Sequence, residues 1–513
     1  IPEVKNPYDF NYKNYLKKKG IEMQLFLSRS SALIVESFEN HPIRIANLIR
    51  ETIGQQLRKR ISNANVSALT EAMLLGRREN LDSKLKEDFV DAGAIHILAV
   101  SGLHVGILLL ILNFLLKPLE FLVRGREVKL ITVLVLLWSF AFLAGLSPSV
   151  IRSVTMFSFV AVGMFFGKEN GVFNAVIGSA VFLLLLNPYY IFDVGFQMSY
   201  TAVLFIIWTQ PLIYNLWKPK IVLLDYFWKI ITVSVAAQIG VLPLSLFYFH
   251  QFPLLFLVTN IVVIPTVGFI LSYGLLVIIV SFFEKAPSFV FQVYSEFVQL
   301  FNGYINWIAG FDSLVLKHIN FSIDTLIFAY ALIIMLFNFW ERKTALSLKY
   351  FLCSCIVLQL TFIADKFQSS DELLICHENK KSLIIQNIGG EICFHAQDSI
   401  LVKKVKDKYL GTTNNFKSFK WSKQQQLFSF KNQQIFVIND EIKSLLHGFH
   451  PEVICLQNSP KINLDRILLQ LKPKIIIADG SNYFSMKKRW EQTCLKNGIQ
   501  FFDTYKEGAF IKK

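Results

Sequence analysis

The sequence predicts a polytopic α-helical membrane protein of about nine to eleven spans, with an external β-rich N-terminal remnant and an external α/β C-terminal domain. Of its 513 residues, 53% are hydrophobic and only 17% are charged, whereas a soluble protein of this size carries roughly a quarter charged residues. The mean hydropathy is +0.45. Apolar runs of membrane length lie between residues 95 and 364, and the segments on either side are polar. These observations exclude an ordinary soluble protein.

Two polar segments precede the first long apolar run. Residues 1–40 have the pattern of the end of a small external β domain, and residues 41–94 are predicted to form amphipathic helices at the membrane surface. In the second segment apolar residues recur at helical spacing beside arginines. A soluble helix with a solvated basic face fits that pattern equally well. Because the chain begins with Ile1 and nothing before Phe89 resembles a signal peptide, we expect further protein upstream, or a fragment.

The membrane domain is predicted to occupy residues 95–364. Its apolar runs lie at about 95–116, 130–146, 150–166, 172–192, 196–216, 229–249, 252–283, 321–340 and 348–364. The run at 252–283 is too long for one span and contains Pro253, Pro265 and Gly268, so we expect two short or broken helices there. Residues 288–311 are amphipathic and aromatic, which suits an interfacial or a pore-facing helix.

The charges of the loops predict an orientation. Lysine or arginine follows the first span (Lys117 to Lys129), the fifth (Lys218 and Lys220) and the run at 321–340 (Arg342–Lys343), whereas the loops after the second, fourth and sixth spans contain neither. By the positive-inside rule the first span runs from outside to inside. Both polar ends of the chain are then external.

The first apolar run contains two histidines and a serine, and polar groups inside a bilayer are costly and usually functional. Helical spacing predicts that His96 and His104 share one side, with Ser101 one turn before His104. Gly102 and Gly106 form a small-xxx-small pair that would let another helix approach closely. The histidines could be metal ligands, although structural hydrogen bonding fits better because no third ligand is near in sequence. Ser101 beside His104 also permits a hydrolase, but no Gly-x-Ser-x-Gly turn accompanies it.

Four sequence blocks together resemble the ComEC family of competence DNA-internalisation channels, in that family's order. The blocks are His96–Gly106, Ser147–Arg152 with Met156, Asn187–Pro188 with Asp193–Tyr200, and Ala237–Pro243 with Phe252–Pro253, Asn260 and Pro265. Residues Asn6 to Ile21 resemble the end of that family's oligonucleotide-binding-type external domain, so the likeness covers roughly residues 1–340. It implies a protein of the bacterial cytoplasmic membrane that passes one DNA strand from the outer face into the cytoplasm.

A path for a polyanion needs hydrogen-bonding or moderately positive groups rather than a strong charge trap. The candidates for contact with DNA are His96, Ser101, His104, Arg152, Gln197, Gln238 and Asn260, and the candidates for helix packing are Gly102, Gly106, Pro243 and Pro265. Arg152 is the strong cation among them, but it could equally snorkel to an interface or neutralise Asp193. The three amides could simply hold helices together, which is the more ordinary role.

The tail, residues 371–513, is predicted to be an α/β domain. Two stretches, Leu471–Asn482 and Glu507–Phe510, resemble the closing strands of the metallo-β-lactamase-like domain of fuller family members. That domain carries a His-x-His-x-Asp-His motif, but here His447 and His450 form the only close histidine pair. We therefore expect a degenerate relative with no metal site, no cofactor and no nuclease activity. An unrelated external α/β module is the alternative.

These interpretations predict a channel rather than an enzyme, which transports single-stranded DNA during natural transformation. The implied partners are the DNA strand, the lipid bilayer, an external DNA receptor and cytoplasmic helicase or strand-binding proteins. Two alternatives stay open. The first is an intramembrane hydrolase that uses Ser101 and His104, and the second is a small-solute transporter, although no inverted repeat is visible.

Overall fold

The structure is a computed structural model that describes residues 3–25, 42–167, 171–367, 371–413, 416–423, 425–431, 433–440 and 449–513. Its contacts divide the chain into two compact units. One contains residues 27–319 and 336–341, and the other contains residues 1–26, 320–335 and 342–513. His447 and residues 26–40 of the expected N-terminal domain lie outside the described residues.

Helices account for every apolar run that the sequence predicts as a span. After α1 (Tyr12–Lys18), the helices before the tail are α2 (Pro42–Arg60), α3 (Ala64–Leu75), α4 (Ser83–Asp91), α5 (Gly102–Leu115), α6 (Gly125–Leu143), α7 (Pro148–Phe165), α8 (Gly171–Leu186), α9 (Val194–Tyr214), α10 (Val222–Phe249), α11 (Phe256–Ser281), α12 (Ser288–Ala309), α13 (Ile323–Arg342) and α14 (Ala345–Phe367). By length and composition α7, α9, α10, α11, α13 and α14 can each cross a membrane, and α3, α5 and α8 are shorter apolar helices. The multi-pass membrane class is thereby confirmed, while the total of nine to eleven spans stays a prediction.

Two expectations about the helices are wrong. Residues 95–116 are not one helix, because a short 3₁₀ turn at Ile95–Ile97 is followed by extended backbone at Ser101, and α5 starts only at Gly102. Residues 252–283 are not broken into two helices, since α11 continues through Pro265. Proline removes one hydrogen bond, but in an apolar medium breaking the helix would expose several more backbone groups. The Thr266 hydroxyl also donates to the carbonyl of Val262 at 2.6 Å, beside the proline turn.

The segment expected at the membrane surface contributes to the core of the helical unit. Every residue of α3 from Val66 to Leu75 is buried, and α3 packs with the inner faces of α11 and α12. The antiparallel strands β1 (Gln251–Pro253) and β2 (Val315–Lys317) join the chain before α11 to the chain after α12. The α11–α12 pair is therefore held together at that end.

The described residues of the tail form two five-stranded sheets and four helices. Its elements are β3 (Glu372–Ile375), β4 (Ile384–Ile388), β5 (Glu391–His395), α15 (Ser399–Thr412), β6 (Ser418–Ser422), β7 (Leu427–Phe430), β8 (Gln433–Ile438), β9 (Val453–Leu456), α16 (Leu464–Leu471), β10 (Ile475–Ala478), α17 (Phe484–Lys496), β11 (Gln500–Asp503), α18 (Thr504–Glu507) and β12 (Phe510–Lys512). The strand orders are β12-β3-β4-β5-β6 and β11-β10-β9-β8-β7. The predicted α/β class of this domain is confirmed.

The two sheets stack face to face between outer helices. Ile384, Val437 and Cys455 pack together between the sheets. Helix α15 covers the outer face of the first sheet, and α16 with α17 covers the outer face of the second. This α/β/β/α layering buries both faces of each sheet. Kinship with metallo-β-lactamases stays a prediction.

The N-terminal segment belongs to the same unit as the tail. The described residues 3–25 contain α1 and no strand, so the expected β-rich remnant is not confirmed. Tyr8 is buried in the core beneath α15. The Asn6 side chain accepts from the backbone N–H of His377 at 2.8 Å, and the backbone N–H of Ala509 donates to the carbonyl of Lys5 at 2.6 Å.

Candidate functional site

The His96–Gly106 block enters α5 through a capping arrangement of Ser101 and His104. The Ser101 hydroxyl lies 3.0 Å from His104 Nδ1, and the Ser101 backbone N–H donates to the same nitrogen at 3.3 Å. This is a capping box in which histidine takes the place that glutamate or glutamine usually holds. Because Nδ1 accepts, the proton of the neutral ring lies on Nε2. That Nε2 is buried and has no hydrogen-bond partner among the described residues.

The start of α7 fixes the loop that precedes α5. The Ser149 hydroxyl donates to the carbonyl of Val100 at 2.9 Å. Further along, a Cβ on Gly106 would lie 3.1 Å from the ring of Phe157 in α7, whereas a Cβ on Gly102 would meet Ser153 Oγ at an ordinary 3.6 Å. Of the two predicted packing glycines, Gly106 therefore makes the tight approach.

Arg152 pairs with Asp193, as the more structural of its predicted roles requires. Its guanidinium lies 3.2 Å from Asp193 Oδ1, and the Arg152 side chain is only 10% exposed. The same carboxylate oxygen accepts from the backbone N–H of Phe196 at 2.8 Å and so caps α9. Arg152 Nε is buried without a partner in the described structure, so one donor of the guanidinium is still available.

The three candidate amides differ in their hydrogen bonding. Gln197 is fully engaged, because its Nε2 donates to the carbonyl of Ile191 and its Oε1 accepts from the Tyr248 hydroxyl, both at 2.8 Å. It therefore joins α9 to α10. Gln238 in α10 and Asn260 in α11 are partly exposed, and neither amide hydrogen-bonds to any described residue. The structure thus separates one helix-joining amide from two available ones.

Further polar atoms inside the helical unit lack partners. Thr155 Oγ1, one turn after Arg152, and Ser234 Oγ, one turn before Gln238, are buried without a hydrogen bond to the described residues. In an apolar medium each such group costs free energy unless water or a ligand satisfies it. Such groups occur in both α7 and α10.

The remaining candidates are one histidine and two prolines. His96 lies exposed in the 3₁₀ turn before α5 and is not on the helix that carries His104. Pro243 is buried in the middle of α10, and Pro265 lies within α11. Neither proline ends its helix.

Sequence reasoning missed two features of the helical unit. Glu71 in α3 is buried, with Arg58 at 2.6 Å and Arg77 at 4.0 Å. A lone carboxylate in an apolar run was the available signal for this neutralised group. Gly240 allows close packing of α10 on α9, since a Cβ there would lie 2.7 Å from Phe205. Gly240 lies inside the Ala237–Pro243 block, in which Pro243 was the residue predicted to matter for helix packing.

The tail offers a buried polar cluster at the end of β10. The backbone N–H of Ser481 and the Asn482 amide donate to Asp479 Oδ1, both at 3.0 Å. Asp479 is fully buried, and burial raises its pKa to about 6. Within the described part of the chain no group of three or more histidine, cysteine, aspartate or glutamate side chains is placed to hold a metal ion.

Comparison with known proteins gives consistent matches. The family model for "Competence protein" matches residues 73–343, and that for "ComEC C-terminal domain" matches residues 373–513. ComE operon protein 3 of Bacillus subtilis is 27% identical over 372 residues, which is 72% of this chain and 46% of that protein. An uncharacterized protein of Aquifex aeolicus is 27% identical over 47% of this chain and 54% of its own length.

Recombination protein 2 of Haemophilus influenzae is 23% identical over 52% of this chain and 35% of its own length. The chain thus spans about half, or less, of the length of the curated relatives it matches. No solved structure matches.

Proposed function

The chain belongs to the competence protein family, and from this membership we propose that it moves single-stranded DNA across the bacterial cytoplasmic membrane during natural transformation. The names of two relatives, ComE operon protein 3 and recombination protein 2, agree with a role in DNA uptake. Transport of a single strand is the finer part of the proposal and rests on the chemistry of the helical unit.

The observation that carries the proposal is the set of polar side chains without partners in an apolar bundle. His104 Nε2, Arg152 Nε and Thr155 Oγ1 are all buried in or beside the first turns of α5 and α7. Each unmet group costs roughly 1–3 kcal/mol unless water or a ligand satisfies it, so we infer that this part of the bundle is hydrated. A passing hydrated strand would satisfy them in turn.

Helix ends support the same function. The bond from Ser149 to Val100 and the Arg152–Asp193 pair bring the N-terminal ends of α5, α7 and α9 together. The free N–H groups of helix N-termini carry partial positive charge, which attracts phosphates. Because Asp193 offsets the charge of Arg152, the site is mildly positive and would not hold a polyanion permanently.

The proposed arrangement in the cell follows the loop charges. Both polar ends face the exterior, where an external receptor hands over DNA, and cytoplasmic helicase or strand-binding proteins receive the strand. We expect the tail to act without nuclease chemistry. His96, Gln238 and Asn260 then contribute exposed or available polar groups along the route.

The test is uptake of labelled DNA in cells that lack the gene for this chain. We expect surface-bound but no nuclease-protected internal DNA, and recovery when the wild-type gene is restored. His104→Gln is the sharpest variant, because glutamine is a normal partner in the capping box and should keep α5 intact. Normal membrane abundance with reduced import would assign the imidazole to transport, whereas internalised DNA in the deletion strain itself would reject the proposal.

The 3.0 Å distance between the Ser101 hydroxyl and His104 Nδ1 supports one alternative, an intramembrane hydrolase. In that case Ser101 would be the nucleophile and His104 the base, but no described carboxylate orients Nε2. A serine-directed phosphonate probe distinguishes the two functions. Labelling that disappears in Ser101→Ala would favour the hydrolase.

A further inference from the structure

The net positive charge of the tail is concentrated in one short stretch. Residues 365–513 contain 23 lysines and arginines against 15 acidic residues. Within this segment, the 33 residues from 399 to 431 contain eight lysines and a single acidic residue, Asp407. Nearly all of the tail's net charge of +8 therefore comes from α15 and the two strands that follow it.

Strand β6 carries part of this charge at the edge of the first sheet. It pairs with β5 on one side only, so its other side lies at the end of the strand order. Lysines and aromatic rings alternate irregularly along it and its flanks. The exposed residues are Phe416, Lys417, Phe419, Lys420, Trp421 and Lys423, and with Lys406 of α15 they are called the lysine–aromatic edge below.

The aromatic rings of this edge are held in place yet open to solvent. Phe419 and Trp421 are 43% and 46% exposed, and as residues two apart on a strand they project from the same face, about 6.6 Å apart. The ammonium of Lys406 lies 3.6 Å from the centre of the Phe419 ring. The Trp421 indole N–H donates to the carbonyl of Ala396 at 3.2 Å, so the indole is anchored by its edge.

The lysines of the edge are not neutralised locally. Among the described residues Lys406, Lys417, Lys420 and Lys423 form no salt bridge, whereas Lys408 in the same helix pairs with Asp9 at 3.2 Å. Glu391 is the acidic residue in register beside Ser418 on the neighbouring strand. Within the described residues, the edge therefore combines lysines that form no salt bridge with ordered aromatic rings.

We propose that the lysine–aromatic edge binds single-stranded DNA, with lysines contacting phosphates and the faces of Phe419 and Trp421 stacking on bases. Rings on a strand beside cationic groups are the general arrangement for binding unpaired nucleic acid without sequence preference. A duplex presents phosphates but hides its base faces, so it should bind more weakly. This inference rests on the proposed function and gives the tail a task that needs no metal.

A purely protective role for the lysines of β6 explains only part of the observations. Lysines on an edge strand prevent it from pairing with another chain. That protection needs no exposed aromatic ring and no lysine beside the ring on a neighbouring helix. The position of the Lys406 ammonium beside the Phe419 ring favours a ligand that has both negative charge and flat aromatic faces.

The test measures binding of a fluorescent oligothymidylate to the full chain in detergent, by fluorescence anisotropy at several salt concentrations. Two triple variants remove equal charge from opposite layers of the tail, Lys417→Gln/Lys420→Gln/Lys423→Gln and the control Lys461→Gln/Lys488→Gln/Lys496→Gln. We expect the first variant to bind at least tenfold more weakly. The slope of log affinity against log salt concentration should become shallower by about two, because each lost phosphate contact removes roughly 0.7 from that slope. The control should bind like wild type.

Stacking is tested separately with Phe419→Leu and its control Phe484→Leu, which changes an exposed ring on α17. Loss of one stacked base predicts at least about fivefold weaker binding for Phe419→Leu alone. Equal affinity of all four variants, or equal binding of a duplex, would overturn the inference. This binding does not depend on transport, so the two proposals can fail separately. If DNA is imported normally but the edge does not bind DNA, the edge proposal is rejected and the proposed function stands. If the edge binds DNA but no DNA is imported, the proposed function is rejected and the edge proposal stands.

Discussion

At position 152 the chain places a guanidinium beside the carboxylate of Asp193, and a double substitution distinguishes its two possible roles. Arg152→Gln should lower DNA import about 10- to 100-fold if a charge-assisted contact to phosphate is lost. Asp193→Asn keeps the cap of α9, because asparagine caps as well as aspartate. We therefore expect Arg152→Gln/Asp193→Asn to remain deficient at normal membrane abundance, as measured by nuclease-protected labelled DNA.

The contrary outcome is recovery in the double variant. If import returns once the unpaired carboxylate is also removed, Arg152 serves only to neutralise Asp193. Arg152→Lys provides the matched control, since lysine keeps the charge but not the fork of donors.

Asp479 predicts a pH dependence of the tail. Its pKa of about 6 lies above the roughly 3.9 of an unfolded chain, so the folded domain retains a proton that the unfolded chain releases. The stabilisation is complete below about pH 4 and is lost as the pH rises through 6. Asp479→Asn should therefore raise the stability at pH 7, by at most about 3 kcal/mol for two pKa units.

Pulse proteolysis of the full chain in urea measures this effect at pH 5 and pH 7. The gain of Asp479→Asn over wild type should be larger at pH 7, and the exposed control Asp465→Asn should show no such difference. A gain that is equal at both pH values would contradict the raised pKa.

Among the elements, the contact of α5 with α7 depends on the missing side chain of Gly106. Gly106→Leu forces atoms into the ring of Phe157, and overpacking of this kind costs roughly 1–3 kcal/mol. We expect a clear fall in membrane abundance on immunoblots. Gly303→Leu in α12 is the control, because nothing lies within 4 Å of a Cβ at that position, and equal abundance of the two variants would refute the packing role.

The sequence was informative about elements where apolar length decides the structure. Each long apolar run contains a helix, because in a bilayer a helix satisfies all backbone hydrogen bonds within the segment. The same reasoning could not locate the start of α5, since the Ser101–His104 cap overrides the apolar periodicity. It also predicted a break at Pro265 that the packing of α11 does not allow.

Side-chain roles were harder to infer than elements. Gln197 and Gln238 look alike in sequence, yet only Gln197 finds partners, on a loop and on α10, that local patterns do not specify. The amphipathic pattern of α2 predicted a membrane surface, which stays a prediction, but it did not specify that Arg58 pairs with the buried Glu71. Such contacts depend on which helices become neighbours, which periodicity leaves open.

For the whole molecule, the loop charges predict that the tail lies outside the cytoplasmic membrane. A reporter that is active only in the cytoplasm should be silent when fused after Lys513 and active when inserted after Lys343. The pair of insertions controls for expression, because both fusions share the same upstream chain. Activity of the Lys513 fusion would reverse the predicted orientation.

Residues 3–25 and the tail belong to one folded unit, and this limits the number of times that the chain between them can cross the membrane. Two segments that fold together lie on one side of the bilayer, so the chain between them must cross an even number of times. Nine apolar runs alone would give an odd count. The β1–β2 pair places the start of α11 level with the end of α12, so that α11 and α12 cross together or not at all. If each of the nine runs crosses the membrane, α12 is the tenth crossing that makes the count even, and we expect this amphipathic helix to span the bilayer.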